Sequence, residues 1–226
     1  MSLTTELERA RGLDTADLAD AIESIGFECT RCGACCTKEV DDDGEVEPHT
    51  ATVFPDEVRT LQGSEREGEE EREWRDVARP MPYGLSEGED GDEGETFEWA
   101  LQTDACGDCA FYAEEDGVGA CTVHEDRPLI CETYPFSVAL DGTAEPAGEP
   151  VDSEGVVRAH ECEGLGRDIS REDAEELAAA LKERAIRELE EAIALRENYE
   201  PAEVGRGEVV VHDSEAAKRP DGTPLE

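Results

Sequence analysis

The chain has 226 residues, of which 37% are hydrophobic and only 5% aromatic, and its formal net charge is -41. A surface this negative repels phosphate backbones and anionic lipids, so the charge argues against nucleic-acid binding and against binding to membranes. No apolar stretch of the sequence is long enough to span a membrane. Residues 1–10 do not have the basic flank and following apolar run of a secretory signal peptide. We therefore expect a cytoplasmic protein with one domain, or one domain and appendages.

The acidic composition has two interpretations. Like charges destabilise a compact chain in dilute buffer, but salt at about 1 M shortens the Debye length to about 3 Å and removes most of the repulsion. The first interpretation is therefore a halophilic protein with an acidic surface, adapted to a salt-filled cytosol. High charge with few aromatic residues is also typical of disorder. The cysteine motifs and a clear amphipathic helix favour order for the chain as a whole.

Two helices are predicted before the first cysteine. Residues 3–11 predict a short helix, and residues 15–25 predict a second one with Asp14 as its N-cap. Apolar residues recur at helical spacing in the second helix, which gives it one buried face. Gly26 ends this helix and leads the chain into the first group of cysteines.

The first group places four cysteines in eight positions, in the pattern C-x2-C-x2-C-C. Two residues between cysteines let neighbouring sulfurs turn toward one point, and zinc knuckles and ferredoxin loops both use this spacing. The last two cysteines are adjacent, so their side chains leave the backbone in different directions. We expect one of them to share a centre with the first two, and the other to reach a second metal or a distant thiol. The motif consists of Cys29, Cys32, Cys35 and Cys36.

The stretch between the cysteine groups has weaker patterns. Residues 38–53 predict a weak hairpin with a turn at residues 41–44, and residues 55–62 predict a short helix. Residues 63–94 are mostly Glu, Asp and Gly, which indicates an acidic surface insertion with salt-adapted loops. A strand is expected over residues 96–101, just before the second group of cysteines.

The second group of cysteines begins with another C-x2-C pair. A hairpin is predicted after this pair, with its turn at residues 115–117. His124 and His160 lie close to later cysteines and could bind zinc, but nine thiols supply enough donors, so we expect solvated or supporting histidines. The cysteines of this group are Cys106, Cys109, Cys121, Cys131 and Cys162.

The longest predicted helix covers residues 171–198. Ser170 is its expected cap, and Asp173 is placed for a capping box. We interpret this helix as the main packing helix. The tail over residues 201–226 has a strand-like patch at residues 209–212, followed by a polar end that is expected to be mobile. The predicted buried stripe of the helix consists of Leu177, Leu181, Ala185, Leu189 and Ile193.

These elements predict an α+β fold: a small, irregular, metal-organised domain with short strands, an N-terminal helix and a long C-terminal helix. The domain is expected over residues 1–200, with a metal core over 27–166, the acidic insertion over 63–94 and the packing helix over 171–198. Residues 201–226 follow as a tail. Because aromatic residues are few, metal bonds are expected to supply stability that a thin apolar core does not.

The nine cysteines are the predicted metal ligands. In a reducing cytosol, their spacing favours metal over disulfides. Four ligands for each centre give two centres and one spare thiol, or one centre with several thiols outside it, and the sequence leaves both open. Thiolates suit zinc and iron–sulfur clusters alike, but the consecutive run C-x2-C-x2-C favours an iron–sulfur cluster, of the 4Fe–4S type, over zinc.

The ordered set of motifs resembles the YkgJ-type cysteine-cluster family over roughly residues 27–166. Besides the two cysteine motifs, the resemblance rests on Cys121, Arg127-Pro128, Cys131 and Tyr134-Pro135-Phe136. That family is described as a zinc- or iron-chelating domain related to flagellin lysine N-methylases, and many members are named iron–sulfur oxidoreductases. The resemblance implies metal binding and leaves the reaction open.

Three functions follow as hypotheses. The first is a metal-binding protein whose iron–sulfur cluster serves electron transfer or other redox chemistry, with a redox partner or another protein partner. The second is a zinc-stabilised structural or adaptor module, in which the metal replaces missing core. The third comes from the family relation and is methylation of a protein lysine, although no Gly-rich cofactor loop follows a strand in this sequence. The sequence does not decide whether the chain is an enzyme.

Overall fold

The computed structural model describes residues 2–40, 44–64, 71–89, 91–140 and 149–225. Two predicted features lie partly outside these residues. They are the turn at residues 41–44 and the acidic insertion at residues 63–94.

Helices and short strands occur along the whole chain, with an N-terminal helix and a long C-terminal helix, so the predicted α+β class is confirmed. The helices are α1 (Leu3–Arg11), α2 (Thr15–Ile25), α3 (Pro55–Gln62), α4 (Trp74–Val77), α5 (Leu129–Thr133) and α6 (Arg171–Asn198). The strands are β1 (Glu39–Val40), β2 (Val46–Glu47), β3 (Thr52–Val53), β4 (Ala78–Pro80), β5 (Leu85–Gly88), β6 (Gly91–Thr96), β7 (Trp99–Leu101), β8 (Tyr112–Glu115), β9 (Val118–Cys121), β10 (Phe136–Val138), β11 (Asp152–Glu154), β12 (Val157–Ala159), β13 (Val209–His212) and β14 (Ala217–Lys218).

The chain packs into two compact units, each built from segments that are distant in the sequence. Unit 1 consists of Met1–Cys35, Glu114–Gly119 and Leu129–Glu190. Unit 2 consists of Cys36–Ala113, Ala120–Pro128 and Glu191–Glu226.

The helices of unit 1 confirm the local predictions. Asp14 caps α2 by accepting a hydrogen bond from the backbone N–H of Ala16 at 2.8 Å, and Gly26 ends that helix with φ of +79°. Ser170 caps α6 in the predicted way, because its hydroxyl accepts from the N–H of Asp173 at 3.1 Å. Among the described residues, no helix combines the length and the apolar character needed to cross a membrane.

Unit 1 has its own apolar core between these helices and an antiparallel sheet in the order β10-β12-β11. Of the predicted stripe on α6, Leu181, Ala185 and Leu189 are buried. Arg184 is also buried on this helix and donates hydrogen bonds to the Thr133 hydroxyl and to the Phe136 carbonyl. The core residues are Leu18, Ala19, Ala21, Ile22, Ile25, Phe136, Val157, Ala159, Ala174, Ala178 and Leu181.

Unit 2 contains two larger sheets and the hairpin predicted near residue 40. β1 and β2 pair in antiparallel register, which confirms that hairpin. One larger sheet has the order β3-β7-β4, and its central strand is buried throughout. The other has the order β14-β13-β6-β5. Helix α3 begins with Pro55, and Glu57 reaches back to the N–H of Phe54 at 2.9 Å, so the predicted short helix is confirmed.

The acidic insertion differs from its prediction. Residues 85–88 and 91–94 were expected in salt-adapted loops, but they belong to the antiparallel hairpin β5–β6. Strand β13 then pairs with β6 in parallel register. The Gly-Asp-Glu-Gly-Glu-Thr sequence of β6 has little intrinsic preference for a strand, so its pairing with a distant, valine-rich segment decides the conformation.

The tail was predicted to hold one strand and a mobile polar end. The strand is confirmed as β13, but the polar end also has regular structure. β14 pairs with β13, and the N–H of Leu225 donates to the carbonyl of Ala217 at 2.8 Å. The sequence after residue 213 is polar, so its pairing could not be inferred from hydrophobic alternation.

A buried ion pair fixes this tail within unit 2. Lys218 Nζ lies 2.7 Å from Asp213 Oδ2, and the exposed fractions of the two side chains are 5% and 4%. Asp213 also accepts a hydrogen bond from the indole N–H of Trp99 at 2.8 Å. The Lys218 ammonium lies 5.2 Å from the ring centroid of Trp74, in cation–π range. The charges are therefore held by several partners at once.

We expect the substitution Lys218→Met to destabilise the chain by about 3 kcal/mol, because it leaves the Asp213 carboxylate buried without its cation. Arg59→Gln is the matched control, since Arg59 pairs with Glu215 but its side chain is 50% exposed. That change is expected to cost less than about 1 kcal/mol. Urea unfolding of the three proteins measures both effects, and equal losses for the two variants would contradict the prediction.

Candidate metal centre

The nine predicted ligands divide between the two units. All nine lie within the described residues, and none of them forms a disulfide. The adjacent pair Cys35 and Cys36 is itself divided, because the boundary between the units falls between them. The cysteines of unit 1 are Cys29, Cys32, Cys35, Cys131 and Cys162, and those of unit 2 are Cys36, Cys106, Cys109 and Cys121.

In unit 1 the segment before the first cysteine pairs with the segment after the last one. Phe27 and Leu165 form an antiparallel bridge, and the N–H of Glu28 donates to the carbonyl of Gly164 at 3.1 Å. The two backbones approach so closely that a Cβ at Gly164 would overlap the Glu28 carbonyl oxygen. Gly26 is in similar contact, since its Cβ would lie 2.5 Å from the carbonyl oxygen of Arg167. Glycine is therefore required on both sides of this contact.

This pairing brings Cys162 to the first cysteine motif. Cys162 begins the turn that leads into this contact, because the N–H of Leu165 donates to the Cys162 carbonyl at 3.2 Å. The pKa of the Cys162 thiol is raised, first by burial and then by the charges of Cys32, Cys35 and Cys29. The Cys162 thiol therefore lies within electrostatic range of three thiols that come from a distant part of the sequence.

The conformation of the first motif is unusual. Arg31 has φ of +58° and Gly33 has φ of +80°, so left-handed residues stand on both sides of Cys32. A left-handed residue other than glycine costs about 1 kcal/mol, which the rest of the fold must offset at Arg31. One contact that does so is the hydrogen bond from the N–H of Gly119 to the Arg31 carbonyl, at 2.8 Å.

The donor set in unit 1 fits a thiophilic metal. The thiols of Cys29, Cys32 and Cys35 are exposed, whereas Cys162 is partly buried. The N–H of Gly164 donates to the Cys162 sulfur at 3.4 Å, an interaction that stabilises a thiolate ligand. The pKa of Cys162 is raised because burial, and then the charges of neighbouring thiols, disfavour its thiolate, and a bound cation would stabilise that thiolate.

The described side chains do not form a complete set of ligands around one point. Among the described residues, no three His, Cys, Asp or Glu side chains are grouped so that they could hold one ion. The assignment of the nine cysteines as ligands therefore stays a prediction. Cys131 lies in α5 and is not among the thiols that perturb Cys162.

Both candidate histidines have a polar neighbour in the structure. His160 is buried in unit 1, and its Nε2 lies 2.8 Å from the Ser137 hydroxyl. In unit 2, the Nη1 atom of Arg127 lies 2.7 Å from the Nδ1 atom of His124.

Sequence reasoning missed His49 in unit 2. The backbone N–H of His49 donates to the carbonyl of Gly107 at 2.8 Å, and Gly107 lies between the two cysteines of the second C-x2-C pair. Burial and the nearby charge of Arg79 lower the pKa of its imidazole to about 4, so the ring is neutral at physiological pH. Because His49 lies far from every cysteine in the sequence, no spacing rule could have pointed to it.

A family model matches residues 28–163, which is more than half of the chain. Its description is "CxxCxxCC: Putative zinc- or iron-chelating domain". The chain belongs to this CxxCxxCC family. Neither the curated proteins nor the solved structures include a significant match. Membership confirms the resemblance inferred from the motifs. The description of the family makes this CxxCxxCC protein a zinc- or iron-chelating one.

We expect Gly164→Ala to disrupt the contact beside Cys162, because the added methyl group overlaps the Glu28 carbonyl. The cost should be about 1–3 kcal/mol, and bound metal should fall with it. Gly12→Ala is the control within unit 1, since its methyl group would meet its nearest neighbours at 3.4 Å. Thermal unfolding and metal analysis of the purified variants test this, and unchanged metal content in Gly164→Ala would contradict it.

Metal binding is expected to depend on pH. The raised pKa of Cys162 keeps its thiol protonated at neutral pH in the metal-free chain, and a metal must displace that proton. Zinc binding to the metal-free protein should therefore release about one proton for each thiol ligand and weaken as the pH falls. Competition with a chromophoric chelator across a range of about two pH units around neutrality measures the slope. A pH-independent affinity would contradict thiol ligation.

Proposed function

We propose that this protein is a cytoplasmic iron–sulfur protein that exchanges electrons with a redox partner. In this proposal, Cys29, Cys32, Cys35 and Cys162 hold the cluster. The observation that supports it best is the backbone contact in which the N–H of Glu28 donates to the carbonyl of Gly164 at 3.1 Å, because it joins the segment before Cys29 to the segment after Cys162.

Two features favour a cluster over zinc in unit 1. The first is the consecutive run C-x2-C-x2-C, which ferredoxins use, followed by a distant fourth cysteine. The second is the alternation of left-handed residues at Arg31 and Gly33 around Cys32. Backbone of this kind forms concave sites for anions, and many iron–sulfur clusters are bound in such sites.

The position of the motif suits electron transfer. Cys29, Cys32 and Cys35 are exposed, so a partner protein can approach them directly. The N–H of Gly164 donates to the sulfur of Cys162, and hydrogen bonds to sulfur tune reduction potentials. A bound cluster supplies the ability to accept and return one electron, and the chain supplies ligands, hydrogen bonds and access.

A zinc-stabilised structural module is the second candidate, and the low aromatic content favours it. The core of unit 1 weakens this candidate for the first motif. That core is formed by α2, α6 and the β10-β12-β11 sheet, and no cysteine belongs to it. Unit 1 therefore has apolar burial of its own, and metal at the first motif would be available for chemistry.

The test is anaerobic purification of the full chain, followed by a visible absorption spectrum and analysis of iron, sulfide and zinc. We expect a brown protein with iron and acid-labile sulfide. Cys32→Ser should lose the colour and most of the iron, because it removes a ligand. Cys131→Ser is the matched control and should keep both, since Cys131 is not among the thiols that perturb Cys162. A colourless wild-type protein that contains zinc would refute the redox proposal and support the second candidate.

A further inference from the structure

Two exposed aromatic rings of unit 2 lie against each other. The exposed fractions of Phe97 and Tyr199 are 44% and 38%. Their ring centroids are 5.6 Å apart, and the ring planes are inclined by 58°. Aromatic residues make up only 5% of this chain, so an exposed pair is an unusual use of them. Single exposed apolar side chains are common in proteins, whereas exposed apolar side chains in contact with one another often mark a binding surface.

A buried histidine supports both rings. His212 is only 2% exposed, and the ring of Phe97 stacks on its imidazole with centroids 5.6 Å apart. The ring of Tyr199 meets the same imidazole edge to face at 4.8 Å. The side-chain amide of Asn198 donates to the Ser214 carbonyl, which ties the end of α6 to the segment after β13. The two exposed rings are therefore held in a fixed arrangement before any ligand arrives.

A carboxylate contacts the same histidine. The Oε1 atom of Glu95 accepts from the N–H of Ala202 at 3.1 Å and lies 2.8 Å from the Nε2 atom of His212. These two contacts hold the pKa of Glu95 below its ordinary value, so its carboxylate is charged at neutral pH. The Glu95 side chain is 27% exposed, and its Oε2 atom accepts no hydrogen bond from the described part of the chain. One charged oxygen is therefore left for a ligand.

These groups match a weakly hydrated organic cation. The face of an aromatic ring carries partial negative charge and attracts a cation that lies within about 6 Å of the ring centroid. Because the centroids of Phe97 and Tyr199 are 5.6 Å apart, one cation can lie within that range of both rings. Glu95 adds a full negative charge beside them. A hard metal ion such as Mg²⁺ or Ca²⁺ needs several oxygen ligands, and a single carboxylate does not supply them.

We propose that Phe97, Tyr199 and Glu95 form a binding site for a quaternary ammonium group. Such a group packs its methyl groups against aromatic faces, which is how aromatic cages recognise it. A free choline-like molecule and a trimethylated lysine side chain both carry this group. The proposal goes beyond the proposed function, because the site contains no cysteine and requires no metal. Tyr199 and His212 also follow the segment that the family model matches, so the site is not a property of the family domain.

Two ligands of the same shape test the role of charge. Choline and its uncharged isostere, in which carbon replaces the nitrogen, are titrated into the full-length protein at constant ionic strength. The ring signals of isotope-labelled phenylalanine and tyrosine are followed by NMR. We expect choline to shift the signals of Phe97 and Tyr199 saturably and to bind at least about fivefold more tightly than the isostere. Equal binding of the two ligands, or no shift with choline, would overturn the proposal.

Single substitutions locate the site. Phe97→Leu, Tyr199→Leu and Glu95→Gln should each weaken choline binding about fivefold, because each removes one attraction to the cation. Tyr83→Leu is the matched control and should bind choline as the wild type does, since Tyr83 is 72% exposed and contacts no other ring among the described residues. Wild-type affinity in both ring variants would contradict the site. The comparison of choline with its isostere needs only the wild type, so it stands even if a variant does not fold.

Two further ligands separate the site from general attraction and identify the source of the cation. An acidic surface attracts any cation, but ammonium is strongly hydrated, so ammonium chloride should shift the ring signals far less than choline at the same concentration. Equal shifts would mean unspecific attraction and would overturn the site. The acetylated amide of trimethyllysine is titrated in the same way. Tighter binding than choline assigns the site to a modified lysine side chain, weaker binding assigns it to a small molecule, and both results support the site.

Discussion

The close backbone contact between residues 26–28 and residues 164–167 is the constraint on which the candidate centre of unit 1 depends. It joins the start of the cysteine motif to the segment around Cys162, although these segments are separated by most of the family domain. Glycine makes the contact possible, since a side chain at Gly164 or Gly26 would overlap the opposite backbone. Phe27 continues the contact into the core, where its ring packs edge to face against Phe136 with centroids 5.8 Å apart.

The apolar core and the thiols of unit 1 thus differ in burial and in their role in the structure. Leu18, Ile22 and Leu181 are almost fully buried and belong to the core, whereas the thiols of Cys29, Cys32 and Cys35 are exposed. A centre at that motif can therefore meet a partner without opening the core. Unit 2 is held differently, because it has the buried pair of Lys218 and Asp213 and a cysteine loop that is organised by Asp104.

In this acidic chain, basic side chains form ion pairs with nearby carboxylates. Arg171, for example, is held by Asp20, Glu23 and Glu175, and the pKa of its guanidinium is raised by these carboxylates. Exposed pairs of this kind contribute little to stability one by one, but each lowers the repulsion among neighbouring acids. Burial of Lys218, one of only three lysines in the sequence, places a positive charge where salt cannot screen it.

The sequence by itself determined the features that depend on near neighbours. The limits of α2 and α6 followed from Asp14, Gly26 and Ser170, because helix caps bond within one turn. The spacing of the cysteines was enough to predict the family and its metal chemistry. Tertiary structure decided which thiols approach one another, on which side of the division Cys35 and Cys36 fall, and that an acidic Gly-rich segment becomes the strand β6. These outcomes depend on backbone pairing between segments far apart in the chain, such as Glu28 with Gly164 and β6 with β13, and local sequence preferences do not encode such pairing.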